Sequence, residues 1–176
     1  MKHGFTLIEV LVVIFIVGIL STILIVNWRN NEKTYLVQRT AQEIAQNVHR
    51  IQDMALSGKI YSPEIKPYPY GVNFSTGTKN SYVIFADKNG NGTYQTPPSD
   101  LFVETVSLDP DVEIYSLTPS SGGVLNITFS IPDGFTVISP SATSAIVKIR
   151  KVGTTCTQTK NCRTITITNA GGVTIE

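Results

Sequence analysis

The feature that most constrains this chain is an apolar run from Phe5 to Val26, in which Glu9 is the one strongly polar side chain. A helix of about 20 apolar residues matches a bilayer core of about 30 Å, so the run predicts a membrane-spanning helix. A secretory signal peptide fits less well. Its apolar region is about 7–15 residues long and precedes a small-residue cleavage site, which the segment LSTILIVNW lacks.

The acidic residue Glu9 lies inside this apolar run. An acidic group at the centre of a spanning helix costs about 2.5–3.5 kcal/mol on insertion scales, so it is a functional candidate that needs a partner. The alternative is a carboxyl group near the membrane edge, either protonated or hydrated. The residues alone leave both interpretations open.

Residues 4–13 carry a motif around these positions. The segment GFTLIEVLVV has Gly4 before Phe5, Glu9 at the fifth position after the glycine, and an apolar helix beyond. It resembles the leader and N-terminal helix of type IV pilins and of type II secretion pseudopilins. The resemblance implies that a prepilin peptidase cuts after Gly4 and methylates the new amino terminus, Phe5. It also implies assembly through Phe5 and Glu9, because the amine of one subunit would neutralise the carboxylate of the next where the dielectric is low.

The same resemblance implies a location and a set of partners. The chain would be a single-pass protein of the inner membrane with an extracytoplasmic head, and would later join a periplasmic or cell-surface filament. Its partners would be homologous subunits, the peptidase, an inner-membrane assembly platform and an assembly ATPase. Later segments are similar to the H-type minor pseudopilin and related minor pilins: IQDMALSGK, YGVNF, SYVIFADKNGNGTY and RTITITNAGGVTIE. Val26 stands where many type IV pilins have proline, which weakens the case for a major pilin.

Apolar periodicity predicts the architecture of the rest. One face of a continuing helix, ending near Gly58, is formed by Val37, Ala41, Ile44, Val48, Ile51 and Ala55. Short alternating runs separated by Gly, Pro and Asn turn signals then predict antiparallel strands: YGVNF, SYVIFAD, LFVETVSL, VEIYSL, VLNITFSI, FTVIS, SAIVKIRKV, RTITIT and GVTIE. The fold class is α+β. Its parts are a leader (1–4), a spanning and filament-core helix (5–26), an amphipathic continuation (27–58) and a β-rich head (59–176).

One loop, DKNGNG, is a candidate metal site. Asp87, Asn89 and Asn91 alternate as at the start of an EF-hand calcium loop. Pro98 occupies the position that needs a bidentate Glu, unless Asp100 or Glu104 folds back. We therefore expect no cofactor and favour a β-hairpin turn, since Asn-Gly is a strong hairpin signal, with calcium as the alternative.

Two cysteines and several basic residues lie near the C-terminus. Cys156 and Cys162 are close together in a Thr-rich loop, which favours a disulfide in an oxidising compartment over two free thiols. If they share a face, five side chains would form a basic patch able to hold DNA phosphates: Lys148, Arg150, Lys151, Lys160 and Arg163. The simpler interpretation is scattered surface charge, because 14 basic residues nearly balance 13 acidic ones in the whole chain.

Catalysis finds no support in the sequence. Of the two histidines, His3 lies in the leader and His49 lies off the apolar stripe. No Ser-His-Asp set, HExxH, CxxC or GxxxxGK[ST] motif is present. We therefore expect a structural subunit, a minor pilin or pseudopilin, and no enzyme. The alternatives are a DNA-binding minor pilin of an uptake pilus, a major pilin, or a plain membrane-anchored β domain.

Overall fold

The computed structural model describes residues 4, 6–61, 66–156 and 161–176, without the side chains of residues 23–34. The chain divides into two compact units, Met1–Tyr35 and Leu36–Glu176. The elements in chain order are helix α1 (Leu7–Leu56) and strands β1 (Tyr70–Ser75), β2 (Ser81–Ala86), β3 (Leu101–Ser107), β4 (Val112–Thr118), β5 (Val124–Phe129), β6 (Thr136–Ser139), β7 (Ser144–Lys151), β8 (Cys162–Thr168) and β9 (Val173–Ile175).

The strands form two antiparallel sheets. One sheet has the order β3-β2-β1-β5-β6 and the other has the order β4-β7-β8-β9. Every strand predicted from the alternating pattern is present, with ends that differ by at most two residues. The register shifts at two bulges, between Ile84 and Phe85 and between Ile114 and Ser116. The α+β prediction, a helix packed on a mainly antiparallel head, is therefore confirmed.

The second half of α1 supplies one side of the core. The predicted apolar stripe is buried along its whole length, with no member more than 1% exposed: Val37, Ala41, Ile44, Val48, Ile51 and Ala55. These side chains belong to one cluster with apolar residues of both sheets, such as Phe74, Leu125, Val147 and Ile165. A stripe with period 3.6 buried on one side is what fixes this half-helix against the strands.

The helix ends as its sequence predicts. Gly58 has a φ of 58°, a left-handed conformation that glycine adopts without strain. The Gly58 N–H donates to the Ala55 carbonyl at 3.0 Å, and the Lys59 N–H donates to the Met54 carbonyl at 3.0 Å. This pair of bonds is a Schellman motif, which satisfies carbonyls that the last turn leaves without helical partners.

Polar contacts also join the half-helix to the strands. The Asn47 Nδ2 group donates to the Tyr82 hydroxyl at 2.8 Å, and Arg50 forms an ion pair with Glu104. Tyr82 is 2% exposed, and this burial raises the pKa of its phenol to about 12. A buried phenol keeps its proton because the charged form is poorly solvated there.

Candidate processing and assembly site

The predicted processing and assembly residues lie where α1 begins. Helix α1 starts at Leu7, so Thr6 occupies the N-cap position and Glu9 lies in the first turn. The Glu9 N–H donates to the Thr6 Oγ1 at 3.3 Å and to the Thr6 carbonyl at 3.1 Å. A threonine cap satisfies one of the backbone N–H groups that the first turn leaves without partners. Gly4 is exposed, whereas Phe5 lies outside the described residues.

The position of Glu9 suits a negative charge. The first turn of a helix carries the positive end of the helix dipole, which stabilises a nearby carboxylate by about 0.3–1 kcal/mol. Glu9 is exposed, and four residues separate it from the glycine after which cleavage is expected. Glu9 was predicted from the sequence and the Thr6 cap was not, although the pattern Thr-x-x-Glu before an apolar run is the ordinary signal of such a cap.

An exposed apolar surface flanks Glu9 on both sides and continues along the helix. Each of twelve large apolar side chains is between 47% and 83% exposed: Leu7, Ile8, Val10, Leu11, Val12, Val13, Ile14, Phe15, Ile16, Val17, Ile19 and Leu20. The hydroxyls of Ser21 and Thr22 donate to the Val17 and Ile19 carbonyls at 2.8 and 2.7 Å, so both are satisfied within the helix. A helix that is apolar on all sides needs lipid or other helices around it.

The predicted membrane span, residues 5–26, includes all of this surface. No helix within the described residues reaches the length and apolar character of a membrane span. The predicted span over residues 5–26 includes Phe5 and the side chains of residues 23–26, which lie outside the description. The span stays a prediction.

The candidate calcium loop is organised by hydrogen bonds to its own backbone. Asp87 is 3% exposed, and its carboxylate accepts the N–H groups of Gly90 at 2.7 Å, Asn91 at 3.2 Å and Gly92 at 2.8 Å. The Asn89 Oδ1 accepts the Asn91 N–H at 3.1 Å, and the Asn91 Oδ1 accepts the Thr93 N–H at 2.8 Å. A cation here would compete with these N–H groups for the same oxygens.

Asp100 folds back towards the same loop, as the calcium alternative requires. Its carboxylate is fully buried and accepts the N–H groups of Lys88 at 3.1 Å and Gln95 at 2.7 Å. Glu104 instead pairs with Arg50. Across the described ranges, no three His, Cys, Asp or Glu side chains form a group that could hold a metal ion. The loop spans residues 87–100 between β2 and β3, so it is longer than a tight hairpin turn. Calcium binding stays a prediction.

The structure joins Cys156 and Cys162 in a disulfide, with 5.6 Å between the two Cα atoms. Cys162 begins β8, and the bond closes a short loop beside the end of β7. Residues 157–160, including Lys160 of the predicted basic patch, lie outside the described residues.

The other four residues of the predicted basic patch divide between the two faces of their sheet. Directly paired residues share a face, and successive residues of a strand alternate. Arg163 pairs with Ile149, which is fully buried, and Lys151 pairs with buried Val112. Lys148 and Arg150 therefore lie on the opposite face.

Two of these basic residues, Arg163 and Arg150, contact other side chains of the fold. Arg163 donates from its Nε to the Gln38 side chain on α1. Arg150 donates from its Nε to the Glu113 Oε1 at 2.7 Å and lies 4.2 Å from the centre of the Tyr115 ring. These contacts use the cationic groups within the fold, so the described residues do not present one continuous basic face for DNA.

Comparison with known proteins identifies the N-terminal segment. The family described as the prokaryotic N-terminal methylation motif matches residues 1–25. The match covers the segment that contains Gly4, Phe5 and Glu9. No match is found among curated proteins.

Among solved structures, the chain is similar to the minor pseudopilin EpsH from the Type 2 Secretion System of Vibrio cholerae. The two are 12% identical with a TM-score of 0.48, covering 80% of this chain and 96% of that chain. Similarity at that level assigns no function.

Proposed function

We propose that this chain is a structural subunit of a type IV pilus-like or type II secretion filament, of the minor pilin or pseudopilin class. The observation that carries the proposal is the methylation motif over residues 1–25. Type IV pilins and pseudopilins, which carry such a motif, are structural subunits that assemble with one another. The exposed apolar helix surface within this motif supports the same conclusion, because such a surface needs partners.

In the proposed mechanism, the chain is first stored in the inner membrane with its head on the extracytoplasmic side. A prepilin peptidase removes residues 1–4 and methylates Phe5. An assembly platform and an assembly ATPase then move the subunit from the membrane into the filament. Side chains that contacted lipid would then contact neighbouring helices. Relative to exposure of the same apolar area to water, burial in the filament is worth about 25 cal/mol per Å².

Glu9 would set the position of each new subunit. Its place in the first helical turn keeps the carboxylate near the end of the chain that cleavage creates. The amine of Phe5 in one subunit would meet the Glu9 carboxylate of its neighbour when the two helices pack with a stagger. Removing one partner of a buried ion pair costs about 3–5 kcal/mol, because the other charge stays buried without compensation.

Replacing Glu9 with glutamine tests this role, because Glu9→Gln removes the charge and keeps the size of the side chain. We expect the variant to be cleaved after Gly4 but to fall by more than about tenfold in a sheared filament fraction, since about 1.4 kcal/mol already corresponds to tenfold. The matched control is Glu43→Gln. Glu43 forms an exposed ion pair with Arg39 at 2.9 Å, and such pairs contribute only about 0.3–0.5 kcal/mol.

The two variants separate assembly from stability. The proposed role is supported if Glu43→Gln assembles normally and Glu9→Gln is lost from the filament fraction. A Glu9→Gln protein that enters filaments as efficiently as wild type would refute it.

A further inference from the structure

The loop that carries the calcium-like pattern also contains two Asn-Gly pairs, Asn89-Gly90 and Asn91-Gly92. Asn followed by Gly is the dipeptide most prone to deamidation, because glycine has no side chain to hinder attack by its own backbone nitrogen. Both asparagines and Gly90 are exposed, so water has access to the loop. Two such pairs in succession on an exposed loop are candidate sites of deamidation.

Deamidation at either pair begins within the backbone. The glycine nitrogen loses its proton and attacks the asparagine Cγ, so a new C–N bond closes a succinimide ring. The bond from Cγ to the side-chain nitrogen breaks, and ammonia leaves with the proton. Water then opens the ring to give aspartate or isoaspartate. The balance is one amide plus water giving one carboxylate plus ammonium, with no oxidant or reductant.

The structure holds both nucleophilic nitrogens in hydrogen bonds to Asp87. The Gly90 N–H donates to the Asp87 Oδ1 at 2.7 Å, and the Gly92 N–H donates to the Asp87 Oδ2 at 2.8 Å. Each oxygen of one carboxylate therefore binds one of the two N–H groups that must lose a proton. A negative acceptor stabilises the protonated amide, and Asp87 itself is only 3% exposed.

The two asparagine side chains are also held by hydrogen bonds within the loop. The Asn89 Oδ1 accepts the Asn91 N–H at 3.1 Å, and its Nδ2 donates to the Gln95 Oε1 at 3.0 Å. The Asn91 Oδ1 accepts both the N–H and the hydroxyl of Thr93, at 2.8 and 2.7 Å. Each side chain thus bonds to the residue two positions ahead, whereas ring closure needs the nitrogen of the next residue.

We propose that Asp87 is a positioning residue that protects a latent modification site, Asn89 and Asn91, from deamidation. The site becomes reactive when the loop loses its bonds to Asp87. Each conversion adds a negative charge beside the buried carboxylates Asp87 and Asp100. An isoaspartyl product also lengthens the backbone, so the loop cannot return to its original hydrogen bonds.

The test uses the full-length protein in detergent, incubated in mildly alkaline buffer and followed by peptide mass mapping. The reacting species is water, and the readout is exchange of an amide NH₂ for a hydroxyl at residues 89 and 91. In Asp87→Ala, we expect deamidation about 10–100-fold faster than in wild type, the range set by losing a hydrogen bond to a charged group.

The matched control is Asp109→Ala. Asp109 also accepts a loop N–H, that of Asp111 at 3.0 Å, but that loop contains no Asn-Gly pair. Its loss should leave the rates at Asn89 and Asn91 unchanged. A folded Asp87→Ala protein that deamidates at the wild-type rate would overturn the proposal, as would equal acceleration in the control.

Two measurements on the wild-type protein decide the matter if Asp87→Ala fails to fold. Deamidation of the native protein should be at least about tenfold slower than in urea, and hydrogen exchange at the Gly90 and Gly92 N–H groups should be slow. Equal rates in native and urea-unfolded protein, or exchange of both N–H groups at the rate of free peptides, would each refute protection by Asp87.

Discussion

Gly71 in the central strand β1 offers a sharp test of how tightly the head is packed. It pairs with Phe85 on β2 and with Thr128 on β5, so strands flank it on both sides. A Cβ atom added at Gly71 would lie 2.6 Å from Thr128 Cγ2, 2.8 Å from Phe85 Cζ and 2.9 Å from the Ile127 carbonyl oxygen. The first two atoms belong to side chains, but the third belongs to the backbone of a neighbouring strand and cannot move alone.

We therefore expect Gly71→Ala to lower the free energy of unfolding by about 1–3 kcal/mol, the usual cost of adding a methyl group to a packed core. For a chain of this size, each kcal/mol lowers the melting temperature by about 2–4 °C. Urea unfolding and thermal unfolding, both followed by circular dichroism, measure these two quantities.

The control variant is Gly77→Ala. The nearest atom to an added Cβ there is the Ser75 Oγ at 3.4 Å, an ordinary contact. Where alanine fits the native backbone, the change stabilises by about 0.4–1 kcal/mol, because the unfolded chain has fewer conformations to lose. A Gly71→Ala protein as stable as Gly77→Ala would refute the close approach of β1 to β5.

Three further predictions concern Tyr82, Thr6 and Cys156. The pKa of the Tyr82 phenol is about 12, above the usual 10.0. The stability that Tyr82 contributes is therefore complete below pH 10 and is lost as the pH rises through 12. Between pH 10 and 12, the free energy of unfolding measured in urea should therefore fall less for Tyr82→Phe than for wild type. The exposed control Tyr35→Phe should behave like wild type, and equal losses in all three proteins would contradict this. Thr6→Ala should weaken the start of α1 by about 1 kcal/mol, measured as faster hydrogen exchange at the Glu9 N–H, and unchanged exchange would contradict the cap. Cys156→Ser opens a loop with a sequence separation of 6, so it should cost only about 2 kcal/mol, and global unfolding of the variant would contradict that value.

The sequence predicted the elements of the head because each one depends on local periodicity. The six-residue stripe from Val37 to Ala55 has the spacing of one helix face, and its burial follows from that spacing alone. Gly58 ends the helix because the left-handed conformation favours glycine. The order of strands within the two sheets was not predicted, because strand pairing joins residues far apart in the chain.

The sites were harder to predict, because side-chain direction decides them. Arg150 and Arg163 lie close together in the sequence, yet register places them on opposite faces of their sheet. The pattern around Asp87 suggests a cation site, but its oxygens face backbone N–H groups of the same loop. A spacing rule identifies candidate ligands and leaves open whether other donors already use them.

The central claim is that this chain is a processed filament subunit, and its N-terminus tests that claim most directly. The measurement is the intact mass of the protein purified from its native membrane, together with the identity of its first residue. We expect a chain that begins at Phe5 and carries one added methyl group. A chain that still begins at Met1, with residues 1–4 in place, would contradict it.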